Sequence, residues 1–206
     1  MIKLYFSPGA CSTASYLALE EAGADYSVER VNFAANQQQS PEYKAINPKG
    51  RVPAMVTDRG VLTETPAILA FIAQSYPKAK LAPLDDAFAF AQMQAFNSYL
   101  CSTVHVAHAH KGRGTRWADD PAAIAEMKRK VPESVGAAFD LVEKGFDGPW
   151  AMGGSFTVAD PYLFTLSGWM EGDGLDLSRY PKVMDHRRRM QERPAVQKVI
   201  TAIAAS

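Results

Sequence analysis

The segment IKLYFSPGACS, residues 2–12, predicts how the chain begins to fold. Large apolar side chains recur at every second position through residues 2–6, which is the period of a strand. Ser-Pro-Gly at 7–9 interrupts this pattern. A helical pattern then runs from about Cys11 to Gly23, and glycine is a typical residue after a helix end. The segment therefore predicts a strand, a turn and a helix, with a cysteine at the start of the helix.

The residues that follow extend this unit in a mixed α/β order. Residues 26–33 have an imperfect strand pattern, and the polar stretch 36–40 predicts a loop or a short, weak helix. Two strand patterns surround turn-forming residues within 52–63, which predicts a β-hairpin. The next helix is predicted to have Thr65 as its N-cap and Pro66 in its first turn. The predicted order is β-α-β, a variable segment, and β-β-α.

The second part of the chain is helical in pattern and follows a proline-containing linker, PKAKLAP. Pro132 predicts a kink or break in one of these helices. Thr157 and Asp160 have the spacing of a capping box at the start of another. We therefore expect an α/β domain at 1–80 and an all-helical domain at 87–206.

The composition excludes several classes of function. Lys plus Arg and Asp plus Glu number 22 each, so the formal net charge is zero. A neutral chain lacks the basic footprint of a protein that binds nucleic acid or an anionic membrane. The sequence has no apolar run of about 18 residues that could span a membrane, and two cysteines are too few for a disulfide scaffold. We therefore expect a cytoplasmic protein with reduced thiols that acts on small molecules.

Cys11 and Ser12 are the first candidates for chemistry. The dipole and unpaired N–H groups of a helix N-terminus favour the thiolate of a cysteine there. Alternatively, Cys11 is a small buried residue that packs the turn. Because residue 14 is alanine, no C-x-x-C pair exists, and a redox cycle through Cys11 would need an outside thiol. Ser12 offers a hydroxyl next to it, whereas Cys101 is expected to pack within a helix.

Two further loops carry candidate binding residues. Pro53 opens a predicted edge strand, where a cis peptide bond and pairing with a peptide-like ligand are both favoured. An ordinary turn is the alternative for this loop. Glu64 could pair with a ligand ammonium, and the helix start at Thr65 could bind a carboxylate. Plain helix capping is the alternative for these two residues.

The histidines do not predict a metal site. His105 and His108 lie three positions apart and could share one face of a helix. However, no third ligand with carboxylate or cysteine support occurs at a suitable spacing. Three consecutive arginines at 187–189 are typical of a solvated helix face in a neutral protein.

Five segments complete a more specific pattern. They are KLYFSPGACS at 3–12, AINPKGRVPAMV at 45–56, LTETPAILAFIA at 62–73, STVH at 102–105 and FTVADPYLFTLS at 156–167. In this order and spacing the sequence resembles the bacterial glutathione transferases, and within that superfamily it resembles the beta class most closely. The resemblance covers essentially the whole chain. It implies a thioredoxin-like α/β N-terminal domain followed by an all-α C-terminal helical domain.

The resemblance also implies a site for glutathione as a co-substrate, without a metal. The implied catalytic residues are Cys11, Ser12 and His105, and the implied glutathione-binding residues are Arg51, Val52, Pro53, Glu64 and Thr65. The backbone of Val52, beside a cis Pro53, would pair with the cysteinyl part of glutathione. Glu64 and Thr65 would hold its γ-glutamyl end, and Cys11 would lie next to its sulfur.

Two features depart from the beta-class pattern. Val106 stands where a lysine often follows the site histidine. A contact to the glycyl carboxylate would then have to come from Lys111, Arg113 or Arg116. Glutamines replace the usual lysine within 36–40, which removes a second contact to an anion.

The leading functional hypothesis is conjugation of glutathione to hydrophobic electrophiles, bound near His105 and Trp117. Glutathione-dependent thiol–disulfide exchange or dehalogenation through Cys11 is the first alternative. A non-catalytic glutathione-binding protein on the same scaffold is the second. The resemblance further implies a homodimer with a role in detoxification.

Overall fold

The N-terminal part of the chain forms a four-stranded sheet with three helices, as seen in a computed structural model that describes residues 2–205. Its elements are β1 (Ile2–Phe6), α1 (Ser12–Glu21), β2 (Tyr26–Arg30), α2 (Pro41–Ile46), β3 (Ala54–Thr57), β4 (Gly60–Thr63) and α3 (Thr65–Ser75). The strand order is β2-β1-β3-β4. β1 runs parallel to β2 and antiparallel to β3, and β3 and β4 form the predicted hairpin.

The C-terminal part is helical apart from one isolated bridge between Trp150 and Gly153. Its helices are α4 (Ala87–Tyr99), α5 (His105–Ala109), α6 (Pro121–Arg129), α7 (Val131–Gly145), α8 (Ala159–Ser167), α9 (Pro181–Gln191) and α10 (Pro194–Ala204). A π-helical turn, Leu100–Val104, joins α4 to α5 without a break in the chain direction. The predicted fold class is therefore confirmed, while the boundaries 1–80 and 87–206 remain a prediction.

Helix α1 holds the two parts together. It packs against β1 and α3 on one side and against α8 and α10 on the other. Leu17 and Leu19 are fully buried in an apolar core that spans both parts of the chain. At its C-terminal end, Glu21 forms a two-pronged ion pair with Arg193, with N–O distances of 2.5 and 2.7 Å. The loop that precedes α1 is consequently fixed relative to the helical part.

Local sequence signals explain most element ends. Pro132 lies in the first turn of α7, so it starts a new helix and confirms the predicted break. The predicted N-cap of α3 was wrong, because Glu64 occupies that position with a φ of +73° and Thr65 is the first helical residue. Helix α2 was not predicted, although Ser40 caps it through a 3.2 Å bond from the Tyr43 N–H. Within residues 2–205, no helix is long and apolar enough to cross a membrane.

Asp160 is the buried polar centre of the helical part. Its carboxylate accepts bonds from the N–H groups of Thr157 and Ala151, both at 2.7 Å, and faces the His186 Nε2 at 3.0 Å. The Thr157 hydroxyl accepts at 3.3 Å from the N–H of Ala159. The predicted capping box is thus present in a modified form, in which the acid also ties two distant segments to the start of α8.

Replacing Asp160 with alanine should lower the free energy of unfolding by at least about 3 kcal/mol, because the buried Thr157 N–H, the partly buried Ala151 N–H and the buried His186 ring all lose their partner. Urea unfolding followed by circular dichroism measures this change. Asp140→Ala is the matched control, since Asp140 faces Arg179 at 3.4 Å in an exposed pair and its loss should cost at most about 1 kcal/mol. Equal losses of unfolding free energy in the two variants would contradict the role of Asp160 as the buried polar centre of the helical part.

Candidate active site

A cavity of about 930 Å³ lies between the sheet and the helical part. Seven of the eight residues predicted for the site line it, namely Cys11, Arg51, Val52, Pro53, Glu64, Thr65 and His105. The eighth, Ser12, does not line it. Residues that lie far apart in the sequence are therefore brought together at one concave surface.

The loop before β3 is held firmly by polar contacts. The Val52–Pro53 peptide bond is cis, as predicted. The carbonyl of Arg51 accepts from the Tyr43 hydroxyl at 2.7 Å and from the Asn47 amide at 2.6 Å. Gly50 has a φ of +60°, and a Cβ there would lie 2.7 Å from the side chain of Gln39. The conformation and the close approach both require glycine at this position.

Cys11 occupies the N-cap position of α1 but is almost completely buried. Its thiol donates a weak bond to the Val52 carbonyl over 3.5 Å. Burial raises the pKa of the Cys11 thiol to about 11, and the opposing effects of Thr65 and of the Arg113 charge are smaller. Desolvation of the thiol thus opposes the effect of the helix end, which favours a thiolate.

Ser12 stabilises the loop instead of facing the cavity. Its hydroxyl accepts from the Ser7 N–H at 3.1 Å and donates to the Ser7 carbonyl at 3.4 Å. The side chain is fully buried. These contacts close the turn 7–12 and so position the neighbouring thiol.

Glu64 and Thr65 also line the cavity, at the start of α3. A positive φ on a residue other than glycine is strained, and such strain often accompanies function. The Glu64 carboxylate forms an ion pair with Lys49, whose ammonium also donates to the Thr63 hydroxyl at 2.9 Å. Glu64 thus presents a carboxylate that already binds an ammonium group.

His105 is neutral in this site. Burial, followed by the positive charges of His108 and the nearby arginines, lowers the pKa of His105 to about 4. The ring lies 5.1 Å from the Trp169 ring, centroid to centroid. A neutral imidazole can donate one N–H or accept one proton, but it supplies no positive charge.

A polar cluster in the cavity wall was not found by sequence reasoning. The indole N–H of Trp169 donates to the Gly9 carbonyl at 2.9 Å, and its ring stacks on His108 at 4.2 Å. His108 Nδ1 lies 2.7 Å from the buried Asp173 carboxylate, which also accepts from Lys111 at 3.3 Å. Lys111 is consequently already engaged, whereas Arg113 and Arg116 have no carboxylate partner within residues 2–205.

Cys101 and Tyr162 also line the cavity, which corrects the expectation that Cys101 only packs a helix. Cys101 lies in the π-helical turn and is partly exposed. Burial raises the pKa of the Tyr162 hydroxyl far above its usual range. Residues 2–205 contain no group of three or more side chains that could hold a metal ion.

A thioredoxin-like sheet joined to a helical bundle, with a cis-proline loop and a cysteine at one shared cavity, defines a two-domain class of thiol-dependent enzymes. The glutathione S-transferase N-terminal domain profile matches residues 1–74, and the C-terminal domain profile matches residues 110–202. The glutathione S-transferase GstA of Escherichia coli O157:H7 is 33% identical over 98% of both chains. The chain belongs to the glutathione S-transferase family and is a transferase.

Solved structures agree with this assignment. A glutathione transferase homologue from Sulfitobacter, crystallised with bound glutathione, is 46% identical with a TM-score of 0.95, covering 98% of both chains. A beta-class glutathione S-transferase from Sphingomonas chungbukensis is 33% identical with a TM-score of 0.86 and covers 99% of this chain and 100% of its own.

Alkylation of Cys11 should be slow at neutral pH and rise about tenfold per pH unit up to about pH 10. With a pKa of about 11, only about one thiol in ten thousand is ionised at pH 7. The rate of iodoacetamide labelling of the Cys101→Ala variant measures this directly. Cys11→Ala is the control that reports Cys101 alone. A labelling rate for Cys11 that levels off below pH 8 would contradict a raised pKa for this thiol.

Proposed function

We propose that this transferase conjugates glutathione to electrophiles with a hydrophobic body, and that the glutathione thiolate lies next to Cys11. The convergence of Cys11, the cis-proline loop and Glu64 on one cavity carries this proposal. The Sulfitobacter homologue described with bound glutathione supports it.

The cysteinyl part of glutathione pairs with the loop before β3. Within residues 2–205 no acceptor binds the Val52 N–H, and that residue lines the cavity. A peptide ligand laid alongside Val52 would satisfy this group in the manner of an added strand. The contacts of Tyr43 and Asn47 to the Arg51 carbonyl keep the loop in place before the ligand arrives.

The γ-glutamyl end binds at the start of α3. Its carboxylate meets the N-terminus of this helix at Thr65, where unpaired N–H groups favour an anion. Its ammonium pairs with Glu64 and displaces Lys49 from that carboxylate. Both charged groups of this end of glutathione are thereby neutralised by groups of opposite charge.

Cys11 acts as a hydrogen-bond donor to the glutathione sulfur. Its raised pKa keeps it protonated at neutral pH, so it donates a hydrogen bond and does not compete as a nucleophile. The weak bond to the Val52 carbonyl is readily exchanged for a bond to an anionic sulfur. The neutral His105 offers a second N–H donor in the same cavity. Together these donors favour the thiolate, which then attacks an electrophile bound near Trp117.

Thiol–disulfide exchange through Cys11 is the second candidate function, because two thiols, Cys11 and Cys101, line the same cavity. Dehalogenation through Cys11 would use the same thiol. A protein that binds glutathione without turnover is the remaining alternative. A homodimer and a role in detoxification stay predictions from the resemblance, and a cytoplasmic location stays a prediction from the composition.

Cys11→Ala should keep conjugation of 1-chloro-2,4-dinitrobenzene within about tenfold of the original rate, because one neutral donor is lost and the nucleophile belongs to glutathione. If the second candidate function also operates, the same variant should lose all glutathione-dependent reduction of a small disulfide, whereas a pure donor role predicts no such activity in the original protein. Cys101→Ala is the matched control and should leave conjugation unchanged. Complete loss of conjugation in Cys11→Ala would overturn the assigned donor role.

Glu64→Gln should weaken glutathione binding by about tenfold or more, because it removes the charged partner of the ligand ammonium. Isothermal titration calorimetry with glutathione measures the change in Kd. Glu171→Gln is a suitable control, since Glu171 is an exposed carboxylate outside the cavity. An unchanged Kd in Glu64→Gln would show that the γ-glutamyl end binds elsewhere.

A further inference from the structure

The cavity carries an excess of positive charge that the carboxylates of residues 2–205 do not neutralise. Its lining includes Lys111 and three arginines, Arg51, Arg113 and Arg116, against a single carboxylate among the described lining residues, Glu64. Lys111 is bound to Asp173, and Glu64 is bound to Lys49. Within residues 2–205 none of the three guanidinium groups has a carboxylate within 4 Å.

These three charges come from both parts of the chain and act on a common space. Arg51 belongs to the loop before β3, whereas Arg113 and Arg116 follow α5. Burial lowers the pKa of Arg116, and the charges of Arg113 and Arg51 lower it further. The same three charges act on His105. An anion placed among them would relieve this mutual repulsion.

The turn that carries Arg113 and Arg116 is held in place by a backbone hydrogen bond and by packing against α6. Residues Gly114–Arg116 form a 3₁₀ turn, closed by a 3.0 Å bond from the Arg116 N–H to the Arg113 carbonyl. Gly114 is buried, and a Cβ there would lie 2.9 Å from a methyl group of Ile124 on α6. This close packing fixes the direction from which Arg113 and Arg116 reach the cavity.

Glutathione does not use all of this charge. Under the proposed function its γ-glutamyl carboxylate binds at α3 and its ammonium binds at Glu64. Its glycyl carboxylate is one further anion, which a single guanidinium can bind through two parallel hydrogen bonds. Two guanidinium groups then remain in a cavity that is also lined by the aromatic side chains of Trp117, Trp169 and Phe33.

We propose that the electrophile taken by this site is an anion: a planar aromatic compound with a carboxylate held by Arg113 and Arg116. The inference rests on the proposed function and names its substrate class. The aromatic body packs on the indole rings, and the carboxylate forms charge-assisted bonds with the guanidinium groups. For a chloroarene, the lone pair of the glutathione thiolate forms the new C–S bond. The C–Cl bond breaks with its electron pair to release chloride, and the thiol proton passes to solvent.

Binding without turnover tests the inference directly. The protein is saturated with S-methylglutathione, so that the glycyl carboxylate is already bound, and is titrated with 3,5-dinitrobenzoate or with 3,5-dinitrobenzamide. The benzoate should bind about tenfold or more tightly than the uncharged amide. In Arg113→Gln and Arg116→Gln, the ratio of benzoate affinity to amide affinity should fall toward one. Arg59 is an exposed arginine in the β3–β4 turn outside the cavity, so Arg59→Gln should leave this ratio unchanged.

A second pair of compounds separates this inference from the proposed function. The chlorinated analogues, 4-chloro-3,5-dinitrobenzoate and its carboxamide, are assayed for conjugation, with each kcat/KM divided by the uncatalysed rate. Turnover of the benzoate in preference to the amide supports both proposals. Equal binding of the two unreactive compounds overturns the inference even if both chlorinated compounds react. Preferred benzoate binding with no turnover of either compound supports the anion site and contradicts the proposed function.

The role of the arginines is tested by the same variants. If Arg113→Gln and Arg116→Gln weaken binding of S-methylglutathione and leave the benzoate preference intact, both arginines serve the glycyl carboxylate and the inference is wrong. If the preference falls while S-methylglutathione affinity changes by less than about threefold, the arginines hold the second substrate.

Discussion

The burial of α1 between the sheet and the helical part is the constraint on which the rest of this molecule depends. Its two flanking surfaces belong to different parts of the chain, so the helix can be covered only when both are folded. The loop 7–11 enters this helix, and the Trp169 bond to Gly9 ties that loop to the helical part. The reacting end of the cavity is thus assembled by packing that also accounts for much of the apolar burial.

Sequence reasoning could place residues whose role depends on their neighbours in the chain. The strand and turn before Cys11, the cis peptide at Pro53 and the acid before α3 are all local signals. The cluster of Trp169 and Asp173 was missed, because it is defined by contacts to Gly9 and His108 that no periodicity predicts. Cys101 was misjudged for a similar reason: helical spacing does not show which side of a helix meets a cavity.

The protonation of the site was the least predictable property. The sequence places Cys11 at a helix start, which favours a thiolate, but only the structure shows that burial dominates. A zero net charge likewise hides a local separation of charge, since four lysine and arginine side chains line the cavity against one described carboxylate, that of Glu64. Average composition therefore described the class of protein well and the chemistry of its site poorly.

The π-helical turn Leu100–Val104 has a consequence for how this site can change over evolution. An α-helix rotates by about 100° for each residue, and a π turn holds one residue more than an α turn. The extra residue is therefore taken up within the turn, so α5 keeps the facing that an uninterrupted α-helix would give it, with His105 beside Trp169 and His108 beside Asp173. A one-residue deletion in this turn would restore an ordinary α turn and would change the cavity lining mainly at the turn itself, where Cys101 and Ser102 lie.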